Sequence, residues 1–296
     1  MTRAVTIPPL APASTVALIR PAAGGLEVFM VKRHTAVAVL ASAYVFPGGQ
    51  LALADSAGDI AALCDGLSGV RDRMAGVLDD EARAFHVAAV RELYEEAGIL
   101  LARNRDGKSV GERSGDIDAV DKGREALAAG RPFATLVAAE RWRLALDWLT
   151  LFAHWVTPDI EPRRFDAYFF LAVEPEAQDA SHCGRETSAG VWMRPADAIA
   201  RCRAGEIALP PPTWTTLRQL EPFGSVDEAM AWARSTTVPR IQPGFGFQGT
   251  TRIVTLPGDS ALAPVPGFAA KETRFALENG RWRPIESSSL WPLASC

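Results

Sequence analysis

Residues 86–101 read HVAAVRELYEEAGILL, and no other stretch restricts the fold as much. Glu92, Glu95 and Glu96 stand at i, i+3 and i+4, so at roughly 100° per residue a helix carries all three on one stripe. Val87, Val90, Tyr94 and Ala97 fall on the opposite, core-facing stripe, Gly98 stands at the C-cap position, and the apolar Ile99-Leu100-Leu101 follows. Like charges stacked at this spacing cost stability. A hard divalent cation held by carboxylate oxygens is one reason to keep them; a solvated acidic helix face is the other.

Two neighbouring features favour the cation. Arg91 immediately precedes Glu92, so its guanidinium can fix one carboxylate while the others take metal. Upstream, Val45-Phe46-Pro47-Gly48-Gly49 reads as a strand end and a glycine turn whose carbonyls can approach a metal closely. Leu78-Asp79-Asp80-Glu81 reads as the start of the same helix, with acids at the positive end of its dipole.

The 296-residue chain is long enough for one large domain or two modest ones, and 48% hydrophobic with 22% charged residues suits an ordinary globular core. A net charge of −4 argues against nucleic acid held by bulk electrostatics. An anionic substrate has to be met by local Arg and Lys clusters and by metal. The opening MTRAVTIPPLAPAS lacks the apolar run of a secretory signal, and no segment is long and apolar enough for a membrane span. Cys64, Cys183, Cys202 and Cys296 form no CxxC pair, so neither a disulfide frame nor a zinc site is expected, although His182 adjoins Cys183.

In chain order, residues 14–20 and 26–31 read as a hairpin. Lys32-Arg33-His34 follows, with Arg33 either a phosphate contact or part of a solvated strand end. Residues 52–84 are small, polar and acidic, which suggests short helices with glycine breaks inside an insertion. Residues 103–130 are polar and glycine-punctuated, and 132–152 space their Leu and Trp residues as an amphipathic helix near the substrate entrance. His154-Trp155-Val156-Thr157-Pro158 opens the next strand, and 163–173, RRFDAYFFLAV, is the strongest strand signal. A loop from Gly184 rises into a strand ending at Pro195, with a helix over 196–204. Residues 209–214 read as rigid and extended before helices over 215–220 and 226–234. Residues 252–256 form a strand, and Glu278-Asn279-Gly280-Arg281 turns a hairpin. There is no internal repeat, low-complexity tract, GxGxxG or Walker loop.

Gly49 and, further on, Arg91-Glu92-Leu93-Tyr94-Glu95-Glu96-Ala97-Gly98-Ile99 resemble the Nudix box, whose pattern is G-x5-E-x7-R-E-U-x-E-E-x-G-U with U a bulky apolar residue. The second half matches at every defined position. Counted back from Arg91, the first glutamate of the pattern falls on Arg83, and the gap from Gly49 to Arg91 is far too long. An insertion therefore splits the box between its glycine turn and its helix, and Asp79, Asp80 and Glu81 are the candidates to replace the missing carboxylate. With HWVTP, RRFDAYFFLAV and LPPPTWTTLRQL, the split box resembles the peroxisomal coenzyme A diphosphatase-like branch of the Nudix superfamily.

That resemblance implies an α/β protein: a Nudix α/β/α sandwich with a mixed β-sheet and helical insertions at about 52–84 and 104–150. The expected organisation is a single domain over 12–260 and a C-terminal extension, 261–296, whose β-hairpin packs on it. It implies a pyrophosphohydrolase using Mg2+ or Mn2+, held by Glu92, Glu95, Glu96 and a carbonyl of Gly48 or Gly49. Arg91 would orient Glu92, which ligates metal or activates water, and Glu186, in the loop before a strand, is the alternative general base. Arg33, Phe46, Arg163 and Arg164 are the candidate substrate contacts. One of Arg163 and Arg164 would clamp a diphosphate or 3′-phosphate, or else pair with Glu161 or Asp166.

The expected reaction takes coenzyme A or acyl-CoA to 3′,5′-ADP and (acyl-)phosphopantetheine. Hydrolysis of ADP-ribose or another nucleoside diphosphate derivative is one alternative, and a non-catalytic nucleotide-binding sensor is the second. The partner is a small molecule, with no nucleic acid and no membrane, and a homodimer through the insertions or the tail stays open. The C-terminal Ala-Ser-Cys does not resemble a peroxisomal signal, so the cytoplasm is the expected compartment.

Overall fold

Residues 7–33, 43–66, 68, 72–184 and 187–285 are described by a computed structural model. Its first two apolar runs form a hairpin of β1 (Leu10–Ala22) and β2 (Gly25–Arg33). Two short strands follow: β3 (Tyr44–Val45) on the side of β2, and β4 (Gly48–Gln50) antiparallel to β1. The first insertion holds a 3-10 turn (Leu53–Ser56), α1 (Gly58–Ala61) and β5 (Cys64–Asp65), and leads into the long helix α2 (Asp79–Ala97). Next come β6 (Ala102–Arg103), α3 (Asp116–Ala128), α4 (Phe133–Ala139), β7 (Arg143–Ala145), β8 (Thr150–Val156) and β9 (Arg164–Val173). Then β10 (Thr187–Met193) precedes three helices, α5 (Pro195–Arg203), α6 (Pro211–Leu220) and α7 (Val226–Ser235). The chain continues through β11 (Arg240–Ile241), β12 (Gly244–Gln248), β13 (Thr251–Thr255), β14 (Arg274–Glu278) and β15 (Arg281–Pro284).

The main sheet runs in the order β10-β2-β1-β9-β8-β11, with β3 and β4 added at its side. It is mixed: β1 with β9 and β8 with β11 are parallel, and the other pairs are antiparallel. Side chains alternate across it as strand geometry requires. Val16 and Leu18 of β1 and Phe170 and Ala172 of β9 face α2, where they meet Val90, Leu93 and Tyr94. Ala17, Ile19, Phe169 and Leu171 face the other way, onto Ile199 of α5, Trp214 and Leu217 of α6, and Ala233 of α7. Each large apolar side chain so buried contributes about 1.5–3 kcal/mol. The expected α/β/α sandwich is thus the fold.

Several boundaries differ from the sequence reading, each for a physical reason. The helix expected over 132–152 stops at Ala139. Arg141 takes a left-handed φ of 57° and the chain turns into β7 and β8, whose apolar residues are buried on both sides. A continuous apolar run has no period by which to tell strand from helix. The polar stretch 103–130 contains α3, a surface helix. His154 and Trp155 close β8 instead of opening a strand. Residues 209–214 are only partly extended, because Pro211 and Pro212 begin α6, where a first-turn residue needs no N–H. The C-terminal strands form a meander, β12-β13-β14-β15, which begins at Gly244, ahead of the expected boundary at 261. Its last turn is the Asn-Gly hairpin read from the sequence, with Asn279 and Gly280 at φ 50° and 74°. The two insertions share a small sheet, β5-β7-β6.

His86 shows what burial in this sandwich costs. It is 3% exposed, edge-on to Phe170, and its Nδ1–H donates to the Ala82 carbonyl at 2.8 Å. Burial pushes its pKa down to about 4, against a smaller upward pull from that hydrogen bond. Folded His86 stays neutral while the unfolded residue takes up a proton below about pH 6.5, so acidification through that window favours unfolding. Urea unfolding at pH 7.5 and pH 5 is expected to show about 2 kcal/mol of acid-linked loss that a His86→Leu variant lacks.

Candidate active site

Helix α2 is rich in alanine and long straight side chains, both good helix formers. Asp79, Asp80 and Glu81 occupy its first turn, and Gly98 ends it in the left-handed conformation, its N–H returning to the Tyr94 carbonyl. Val87, Val90, Tyr94 and Ala97 are all fully buried, as their stripe predicts. The helix is tied to β1 by Ser14, whose hydroxyl donates to the Phe85 carbonyl at 2.7 Å. On the other stripe Glu92 is 8% exposed, while Glu95 and Glu96 are half-buried.

Arg91 is the hub. It donates from Nε and Nη2 to the two oxygens of Asp55 at 2.8 and 2.9 Å, a bidentate pair. Nη1 reaches Glu92 at 2.7 Å and Glu95 at 3.0 Å, and Nη2 also donates to the Gln50 carbonyl at 3.0 Å. Burial works against the Arg91 charge, yet the bonds to Asp55 and the surrounding carboxylates hold its pKa above the ordinary value. Asp55 is 1% exposed and also accepts the Ala52 N–H at 2.8 Å. The carboxylate paired with Arg91 is therefore Asp55, not Asp79, Asp80 or Glu81. Asp80 sits at the far end of α2, exposed and paired with Arg83. The signal lay in the forward count: from Gly49, the glutamate position of G-x5-E falls on Asp55, so the insertion follows that position instead of preceding it.

The glycines do not form a turn. Gly48 and Gly49 lie in β4, with Thr15 opposite Gly48 and Ser14 opposite Gly49. The flanking bonds, Leu51 N–H to Pro12 and Val16 N–H to Pro47, set the ladder's alternation. Gly49 turns its peptide groups into the ladder, so of the two expected metal carbonyls only that of Gly48 faces the helix. The Gly48 N–H donates to Glu96 Oε2 at 3.0 Å. Both positions exclude a side chain by close approach. A Cβ on Gly49 would stand 2.6 Å from the Glu92 carboxylate, and one on Gly48 would stand 2.4 Å from the Ser14 carbonyl. Burial pushes the pKa of Glu92 up to about 7, opposed by Arg91 and reinforced by the charge of Glu95.

The remaining candidates are dispersed. Phe46 is 2% exposed and belongs to the core on the α5–α7 side, so it is a packing residue and offers no substrate surface. Arg164 is 8% exposed, paired with Asp159, and donates to the Pro8 carbonyl at 2.8 Å. It pins a strand entrance, with a partner other than the expected Glu161 or Asp166. Asp166 instead pairs with His154 at 2.6 Å. Arg163 is exposed beside it, and Arg33 is exposed at the end of β2 opposite Thr187. Glu186 lies outside the described residues. Cys183 contacts the Thr187 hydroxyl, and the described residues gather no zinc-like cluster there.

The donor set suits a hard cation by chemistry and by charge. Asp55, Glu92 and Glu95 surround a single guanidinium and Glu96 adds a fourth carboxylate on the same helix stripe, so among these side chains negative charge is in excess, and every donor is an oxygen. Among the described residues no three acidic, His or Cys side chains close on one point, because Glu92 and Glu95 turn to Arg91 and Glu96 turns to Gly48.

A carboxylate-lined helix hinged on an arginine and laid beside a glycine strand, within an α/β/α sandwich, defines the Nudix hydrolase class. More specifically, residues 70–220, just over half of the chain, match the NUDT19 Nudix domain, and the chain belongs to that family. The putative nudix hydrolase 7 of Caenorhabditis elegans is 28% identical over 194 residues, covering 66% of this chain and 55% of that one. This chain therefore spans about half the length of that relative. The acyl-coenzyme A diphosphatase NUDT19 of Xenopus laevis is 23% identical over 288 residues (86% and 76% of the two chains), and that of Homo sapiens 26% over 287 residues (83% and 72%). A crystallised NUDIX hydrolase from Alicyclobacillus acidocaldarius superposes with a TM-score of 0.61 at 28% identity, over 76% of this chain and 97% of its own. No helix of the described residues is long and apolar enough to cross a membrane.

Proposed function

We propose that this protein hydrolyses the diphosphate linkage of coenzyme A or an acyl-CoA, releasing 3′,5′-ADP and (acyl-)phosphopantetheine, in a reaction that depends on Mg2+ or Mn2+. The observation that carries the hydrolytic reading is the constellation on α2: Glu92, Glu95 and Glu96 on one stripe, organised by an Arg91 that Asp55 holds in place. A cation held by Glu95, Glu96 and Glu92 would neutralise charge building on the phosphoryl oxygens and lower the pKa of bound water. The protein's own part is positional. Arg91 aligns Glu92 and Glu95 from one nitrogen, and the Gly48 N–H aligns Glu96. Gly49 leaves room for the Glu92 carboxylate against the sheet. Glu186 remains the proposed alternative base. The coenzyme A part of the reading draws on the names of the NUDT19 relatives, which act on acyl-coenzyme A.

The test is product identification by mass spectrometry after incubation with Mg2+ and, separately, CoA, acetyl-CoA, ADP-ribose and NADH. Appearance of 3′,5′-ADP and phosphopantetheine species is the expected result. AMP from ADP-ribose or NADH with CoA untouched would overturn the substrate and keep the chemistry. Inertness toward all four with either metal would favour a nucleotide-binding module.

A further inference from the structure

If the carboxylates of α2 act from its last turns, whatever fixes those turns fixes them. The helix has no basic residue of its own in its last turn, although its final carbonyls concentrate the negative end of the dipole. A cation arrives from the second insertion. Arg124 of α3 donates from Nε to the Glu95 carbonyl at 3.1 Å, and from Nη1 and Nη2 to the hydroxyl and carbonyl of Ser181 at 3.0 and 2.8 Å. The Ser181 N–H returns to the Ala97 carbonyl at 2.8 Å. Three segments far apart in sequence thus meet on one guanidinium: α3, the end of α2, and the loop after β9. Gly98 lies directly beneath, where a Cβ would stand 2.8 Å from Arg124 Nη1 and 3.3 Å from Ser181 Oγ. The glycine of the box is required by this crossing as well as by its φ of 73°.

We propose that Arg124 is a positioning residue of the active site, locking the last turn of α2, and with it Glu95 and Glu96, to the loop after β9. The fork shape matters. A lysine at this place keeps the charge but cannot span the Glu95 carbonyl and both Ser181 oxygens from one plane. The role rests on the hydrolase reading for what the carboxylates do, and is independent of which substrate they serve.

The experiment measures Mn2+ binding to the full chain without substrate, from the electron paramagnetic resonance signal of free Mn2+. It compares wild type, Arg124→Gln, Arg124→Lys and Lys122→Gln, an exposed cation on the same helix, with thermal melts alongside. Arg124→Gln is expected to weaken Mn2+ binding and lower kcat by about tenfold or more while KM moves little. Arg124→Lys falls between, and Lys122→Gln matches wild type. A folded Arg124→Gln with wild-type Mn2+ affinity and kcat overturns the proposal. Should that variant not fold, Arg124→Lys and Ser181→Ala carry the test, and wild-type behaviour in both overturns it. A wild type that binds no Mn2+ sinks the metal-dependent reading and the positioning role together, whereas equal binding by wild type and variants sinks the positioning role alone.

Discussion

Glu96→Gln is expected to lower kcat by roughly 10³-fold, about 4 kcal/mol of lost transition-state stabilisation, with the fold intact. Glutamine is nearly the same shape, and its side-chain carbonyl can still accept the Gly48 N–H that Glu96 Oε2 accepts at 3.0 Å. What the change removes is charge at the junction between α2 and β4. Glu92 and Glu95 both lean on Arg91, so part of their charge is already answered by a guanidinium. Glu96 accepts the neutral Gly48 N–H, which fixes its carboxylate at the edge of the glycine strand. Steady-state rates across a Mg2+ titration, with a thermal melt as the check on folding, decide the matter. A Glu96→Gln enzyme within threefold of wild type at saturating Mg2+ would remove Glu96 from the metal-binding set.

The parts of this molecule that were legible in its sequence are those in which a local rule and the tertiary structure agree. The core stripe of α2 was readable because Val87, Val90, Tyr94 and Ala97 keep a 3.6-residue period up to a glycine cap. The hairpin at Asn279-Gly280 was readable because two positive φ angles in succession select those residues. β7 and β8 were not readable, because their apolar residues are buried on both faces and the alternation that identifies a strand is lost. Arg164 was misassigned because sequence proximity offers several carboxylates, and only the fold selects Asp159. Arg124 carried no signal at all: its partners lie in α2 and after β9, and nothing local marks it. Asp55 is the instructive failure. Counting back from Arg91 crosses the insertion and lands on Arg83, whereas counting forward from Gly49 stays within contiguous structure and lands on the residue that pairs with Arg91.

Asp55→Ala is accordingly expected to be the most destabilising single change at the site, costing about 3–5 kcal/mol, because it removes one partner of a buried ion pair and strands the other. Asp55 is 1% exposed, and the Arg91 side chain 11%, so water cannot replace the lost carboxylate without opening the 3-10 turn at Leu53–Ser56. Arg91 would then lean harder on Glu92 and Glu95, drawing them from the positions catalysis requires, and kcat should fall by about 10–100-fold in the fraction that stays folded. Asp80→Asn, which alters the rejected candidate at the exposed end of α2, should change neither stability nor rate appreciably. The cycle Asp55→Ala, Arg91→Met and the double variant separates a pair from two independent residues. If the pairing is what matters, the double variant is more stable than the two single losses added together predict, since no unpaired cation remains buried. Urea unfolding of all four proteins measures this directly. Strict additivity would mean that Asp55 stabilises the insertion by another route, and that the split box works without its first carboxylate.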